Sequence, residues 1–275
     1  MNLAEQGVMD AASLAGALDG AGMGSEEAEA VLLALGQAIE ARDHSTGGHC
    51  ERLAFHSLAL GVAMGLSRHE LLALYRGGYV HDIGKVGMPD TILFKPSALS
   101  EDEWATMRKH PALGEEICRR LKTLGPVLPI IRSHHEKWDG SGYPDGLQGS
   151  RIPLLARVLQ LADIYDALTM ARPYKQPYSP KEALAIMEEE TARGWRDPEL
   201  MAIFTGLHRK VMAALWEFSA RAGDLASMEA SLLQLQRTLG PGSGAAPALN
   251  GRHRPVPRRQ CARAANSPSA AADRL

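Results

Sequence analysis

Over residues 1–24 the chain is small and Gly-rich, with no settled spacing of apolar and polar positions. From Ser25 the spacing turns helical. Ser25 ahead of Glu26 and Glu27 makes a cap, and Val31, Leu32, Leu35 and Ile39 recur at helical intervals, predicting a helix over 25–40. The turn Arg42-Asp43-His44-Ser45-Thr46-Gly47-Gly48 stops it. A second helix is predicted over 49–64, burying Leu53, Leu60 and Met64 and capped by Gly65. Ser67 with Glu70, and Ser100 with Glu103, are capping boxes. The first opens a helix carrying Leu71, Leu74 and Tyr75 toward His81, the second a short helix ending near His110. Pro111 suits the first turn of a helix through Leu121, and 127–134 reads as another. Four Gly and a Pro in KWDGSGYPDGLQGSRI, 137–152, forbid a regular element, so a loop lies inside the domain. Helical spacing resumes over 153–170. Ser179-Pro180-Lys181-Glu182 is a further capping box, Asp197-Pro198 repeats the device, and apolar helices run to about Leu239. The pattern predicts a helical domain over 25–240, preceded by a leader or remnant linker over 1–24. Residues 241–275, rich in Pro, Gly, Ala and Ser, have little to bury and read as a disordered tail.

Composition supports this division. Hydrophobic residues are 45% and charged residues 23% of 275, enough for a proper core, which excludes extended disorder and fibrous repeats. Aromatics at 5% argue against an all-β sandwich. The formal charge of −2, from 30 Lys+Arg and 32 Asp+Glu, argues against a general binder of long nucleic acid. The tail holds six Arg and one Asp, so residues 1–240 carry 24 Lys+Arg and 31 Asp+Glu, a net of −7. Cys50, Cys118 and Cys261 are too far apart for a disulfide framework or a CxxC metal site. No signal peptide and no run of roughly 18 apolar residues is present, so a cytoplasmic protein without a membrane span is expected. Gly-rich phosphate loops, a Walker lysine and a GxSxG elbow are absent from the sequence.

Eight of the ten His lie between His44 and His135. His49, His81-Asp82, His110, His134-His135 and Asp163 offer imidazole and carboxylate, the donors that iron, manganese and zinc take. Neighbours on a helix point about 100° apart. His81 and Asp82, or His134 and His135, are therefore expected not to chelate one ion side by side but to reach toward two ions or to divide ligand and supporting roles. A carboxylate such as Asp82 can bridge two ions roughly 3.5–4 Å apart, the arrangement used in hydrolysis at phosphorus. Lys85, three residues on, could contact a phosphate oxygen or protonate a leaving alkoxide.

His81-Asp82-Ile83-Gly84-Lys85 resembles the signature of the HD phosphohydrolase superfamily, and the run from His134 to Pro144, HHEKWDGSGYP, resembles the second signature of its HD-GYP subfamily. Arg42-Asp43, Thr46-Gly47, His49, His110-Pro111, the run Ala162 to Thr169 and Arg172-Pro173-Tyr174-Lys175 fall in the same order, so the likeness spans about residues 30–220. The resemblance implies an all-α HD-domain helical bundle with a Gly-rich GYP loop. It implies a phosphodiesterase that cleaves cyclic di-GMP by attack of a hydroxide bridging two iron or manganese ions. The implied ligands are His49, His81, Asp82, His110, His134, His135 and Asp163, with Asp82 bridging. Lys85 is implied at the scissile phosphate, Arg172 and Lys175 at the ligand's phosphates, and Gly142 and Tyr143 at the mouth.

One position departs from the pattern: Ser45 stands where members with three metals carry a Glu. A hydroxyl cannot replace a bridging carboxylate, so two ions and a linear pGpG product are expected. His56, His69, His208 and His253 have no matching ligand position, Asp166 is expected to support ligands, and Asp139 and Asp145 read as turn formers. Two rivals stay open: an HD phosphohydrolase acting on another cyclic dinucleotide, and a non-catalytic module binding a partner such as a diguanylate cyclase. A homodimer is also left open.

Overall fold

Three serines start three helices. Ser67, Ser100 and Ser179 each accept the backbone N–H of the glutamate three residues on, and that glutamate's carboxylate accepts the serine's own N–H. Each reciprocal cap is worth about 1 kcal/mol. The structure, a computed structural model, describes residues 25–42, 48–171 and 176–219, and its regular elements there are all helical. They are α1 (Ser25–Arg42), α2 (His49–Ala63), α3 (Arg68–Val80), α4 (Asp90–Leu93), α5 (Glu101–Met107), α6 (His110–Cys118), α7 (Leu128–Ser133), α8 (Leu154–Thr169), α9 (Pro180–Ala192) and α10 (Pro198–Ser219). Short 3-10 turns cover 83–87, 122–127 and 149–151. The all-α expectation holds. The leader, the tail, Ser45, Arg172 and Lys175 lie outside the described residues.

The core forms where α2 packs on α3, α8 and α10, and α8 on α7 and α9. Leu53 and Leu60 of α2, Leu74 of α3, Ile130 and Ile131 of α7 and Leu159 of α8 are fully buried in one cluster. Gly65 sits at φ +73° just past α2, the left-handed position that ends the helix. Gly84 lets the 3-10 turn after α3 rest directly on α6, since a Cβ there would strike the His110 carbonyl. That contact brings the Asp82–Lys85 turn to the start of α6. Asp197 caps α10 by accepting from the Glu199 and Leu200 amides, and its other oxygen accepts from Arg157 of α8 at 2.5 Å. Among the described residues no helix is long and apolar enough to cross a membrane.

Candidate metal centre

Each histidine of the cluster stands at or beside a helix end, where backbone groups left over by the helix are free to orient it. His81 is the C-cap of α3, His110 the first residue of α6 and His134 the C-cap of α7. In each, Nδ1 faces the carbonyl three residues back: Gly78 O at 3.2 Å, Met107 O at 2.9 Å and Ile131 O at 2.8 Å. A carbonyl only accepts, so Nδ1 carries the proton and Nε2 turns a lone pair inward. This is how histidines that ligate a metal are commonly held.

The inward atoms form two sets whose members all lie within 4.8 Å of one another: Asp82, His110, His134 and His135, and His49, His81 and Asp163. All seven ligands suggested by the sequence are thus brought together. Asp82 stands between the sets. Its Oδ1 is 3.1 Å from His110 Nε2 and 3.6 Å from His134 Nε2, and its Oδ2 is 3.4 Å from His81 Nε2 and 2.8 Å from Lys85 Nζ.

One expectation is corrected. His134 and His135 do belong to a single set, with ring centroids 4.1 Å apart. The 100° separation of helical neighbours does not apply because α7 ends at Ser133. His81 and Asp82 divide between the sets, as expected.

The cluster fits divalent cations. His81 Nε2, Asp82 Oδ1 and His135 Nε2 are buried and have no hydrogen-bond partner. His110 Nε2 and His134 Nε2 face each other at 3.4 Å although neither carries the proton. Lone pairs turned on one another and on a carboxylate repel unless a cation lies among them, and buried polar atoms left unpaired cost about 1–3 kcal/mol each. The donor chemistry is that of a divalent-metal site. Burial opposes the charge on Asp82, yet Lys85 and His81 hold its carboxyl well below the usual carboxylate range. Burial and the neighbouring His134 and His110 push His135 far down, leaving its imidazole neutral and able to ligate.

Asp166 lies beside the donor sets rather than in them. Its Oδ2 accepts the His49 Nδ1 proton at 2.7 Å, and Arg52 donates to Oδ1 at 2.5 Å and Oδ2 at 3.1 Å. His49 Nε2 is thereby aimed at Asp163 Oδ1, 3.6 Å away. Burial would lower the His49 pKa, but the Asp166 bond and the Asp163 charge raise it to about 9. Glu40 of α1 accepts from the His49 and Cys50 amides at 2.7 and 2.9 Å, supplying the cap that Gly48 lacks.

The loop after His135 is tied to the site through Glu136. This fully buried carboxylate accepts the Asp145 and Leu147 amides at 2.7 and 3.0 Å. Gln160 of α8 donates to the His134 carbonyl at 2.8 Å and also to that of Glu136. Gly142 packs so tightly on the Glu136–Lys137 backbone that a Cβ would lie 2.5 Å from Glu136 Cα. Tyr143 donates its amide to His135 O at 3.2 Å and stacks on the His135 ring at 4.7 Å between centroids. Asp139 makes the expected turn, accepting from the Ser141 amide at 2.9 Å, and Asp145, in a bend just before Gly146 at φ +63°, also pairs with Arg132 at 2.7 and 2.8 Å. His56 packs edge-on to Tyr165, away from both sets.

Sequence reasoning gave no role to Arg52, Glu136 or Gln160. The spacing held a partial signal: Arg52 follows His49 by three, and Gln160 precedes Asp163 by three, so each pair shares a helix face.

The HD domain family model matches residues 34–200, the stretch that holds every one of these side chains. The chain belongs to the HD domain family. It is 40% identical over 182 residues to the 3'3'-cGAMP-specific phosphodiesterase 2 of Vibrio cholerae, covering 65% of this chain and 34% of that protein. It is 39% identical over 172 residues to the cyclic di-GMP phosphodiesterase response regulator RpfG of Xanthomonas campestris pv. campestris, covering 61% and 45%. The chain thus spans less than half the length of these two relatives. In fold it matches the crystal structure of a cyclic GMP-AMP specific phosphodiesterase of V. cholerae, V-cGAP3, with a TM-score of 0.56 at 21% identity, covering 75% of this chain and 53% of that one.

Proposed function

We propose that this HD domain is a metal-dependent phosphodiesterase that opens cyclic di-GMP to linear pGpG. The observation that carries the reading is Asp82, whose two oxygens face two separate His-rich donor sets while Lys85 sits 2.8 Å from one of them. His49, His81 and Asp163 would hold one ion and His110, His134 and His135 the other, with Asp82 facing both sets; the mixed imidazole and carboxylate donors suit iron or manganese. When bound, the two ions supply an activated water for in-line attack and neutralise charge developing at phosphorus. Lys85, 9% exposed, brings its ammonium to a nonbridging oxygen of the same phosphate. Arg172 and Lys175 are assigned to the substrate's phosphates from their sequence positions, and Tyr143 to the mouth. Ser45, in place of a third-ion carboxylate, limits the site to two ions and the reaction to its first cleavage.

Relatives named for both cyclic dinucleotides support the substrate class, and the name of one at 40% identity favours 3'3'-cGAMP as the second reading. The test is chromatography of products after anaerobic incubation with iron or manganese and either dinucleotide. Cleavage of cyclic di-GMP to pGpG, abolished in His81→Ala and Asp82→Asn, is expected. Metal-replete protein that leaves cyclic di-GMP intact, or variants as active as the parent, would overturn the reading.

A further inference from the structure

Arg108 stands at the rim of the site with two aromatic supports. It caps the C-terminal end of α5, two residues before His110, and its guanidinium carbon lies 5.7 Å from the ring centroids of both Trp104 and Tyr143. It is exposed, and among the described residues it makes no ion pair with a carboxylate. Other arginines around the centre are occupied: Arg52 by Asp166, Arg132 by Asp145 and Glu115, Arg157 by Asp197.

Its position is fixed from both sides. Met107, the preceding residue, accepts the proton of His110 Nδ1, so the turn that orients a histidine of the cluster also carries Arg108. Tyr143 is stacked on His135, with the two ring planes 25° apart. A guanidinium lying over aromatic rings keeps its N–H donors in its own plane, where they form a rigid fork. A phosphate can accept such a fork, but an ammonium also binds it as a point charge, as Lys85 is placed to do, so a phosphate does not require the fork. A flat edge with two adjacent acceptors does, and guanine presents one in O6 and N7, the commonest bidentate partner of arginine. Adenine places an N6 amino donor where guanine has O6, and two donors then oppose each other.

We infer that Arg108, held on Trp104 and Tyr143, reads a guanine of the bound cyclic dinucleotide and sets the preference for guanine over adenine. The inference rests on the cyclic-dinucleotide reading of the site. A bidentate pair of this kind discriminates by about 1–3 kcal/mol, so removing it lowers selectivity about five- to 150-fold.

The test compares kcat/KM for cyclic di-GMP and cyclic di-AMP in the metal-loaded parent, Arg108→Ala and Arg108→Lys, with thermal denaturation confirming that the variants fold. The expected result is a parent that prefers cyclic di-GMP, a guanine-to-adenine ratio at least about fivefold smaller in Arg108→Ala, and no rescue by Arg108→Lys, the loss falling mainly in KM. Equal loss on both substrates with rescue by lysine would make Arg108 a phosphate contact and overturn the inference. So would an unchanged ratio in both variants, or a parent without preference. A parent that cleaves bis(p-nitrophenyl) phosphate but neither dinucleotide would instead overturn the reading of the site's substrate.

Discussion

The Asp166 carboxylate of α8 holds both His49 and Arg52 of α2, accepting from the imidazole at 2.7 Å and from the guanidinium at 2.5 and 3.1 Å. Burial alone would raise its pKa, yet these two partners bring it down to about 2, so it is a carboxylate at any working pH. Asp166→Asn removes the charge and turns an amide N–H toward one of two donors. Loss of such a supporting contact typically costs ten- to a hundredfold in metal affinity. The expected outcome is weaker uptake of manganese in a titration followed by elemental analysis, with helix content unchanged by circular dichroism. Parental affinity would show that His49 orients without Asp166.

Lys85 offers a separation of binding from chemistry. Its ammonium touches Asp82 but belongs to neither donor set. Lys85→Met should therefore keep the metal content of the parent while lowering kcat by about a hundred- to a thousandfold, the range seen when one charge-stabilising donor is removed. Metal content and turnover measured on the same sample decide it.

Glu136 and Gly142 predict how the GYP loop is held. Glu136→Gln replaces an acceptor of two amides by a group that accepts through one oxygen only. About 1–3 kcal/mol of stability should be lost in urea denaturation, because a buried N–H is left unpaired. Gly142→Ala drives a methyl into the Glu136–Lys137 backbone and should displace Tyr143 from His135. The measurable consequence is a raised KM with metal content retained.

A pH dependence follows from His56 and His208, whose rings flank Tyr165 at 5.3 and 4.6 Å. Burial pushes both from 6.5 down to about 4, and His208 Nε2 is buried without a partner. Between about 4 and 6.5 the unfolded chain then holds more protons than the folded one, so stability rises with pH across this window and falls on acidification. Urea midpoints of metal-free protein at about pH 4.5, 5.5 and 6.5 should climb in that order, below the range in which His49, raised to about 9, acts in the opposite sense. His208→Gln should flatten the climb.

Local signals were legible in the sequence because they act over a few residues. The capping boxes at Ser67, Ser100 and Ser179, the stop at Gly65 and the Asp197-Pro198 start all form where the sequence puts them. The residue types for a metal centre were legible too, since imidazole and carboxylate donors are few and cluster in order. Their partition was not. Helical periodicity separated His134 from His135, but α7 ends one residue earlier and lets both rings turn to the same set. Nor does a linear pattern reveal that Asp166, 117 positions beyond His49, is its partner.

The sequence by itself determined where the capped helices begin, that the interior is apolar, and which side chains could hold cations; it missed the short helix Asp90–Leu93 and carried the helix after Pro111 to Leu121, past its end at Cys118. Only the tertiary structure decided which donors share a set, that Asp82 stands between the sets, and that Arg52, Glu136 and Gln160 pack around them. The reason is physical. A cap or a turn is fixed by bonds between near neighbours, whereas a ligand's direction depends on helices that meet only when the common core closes.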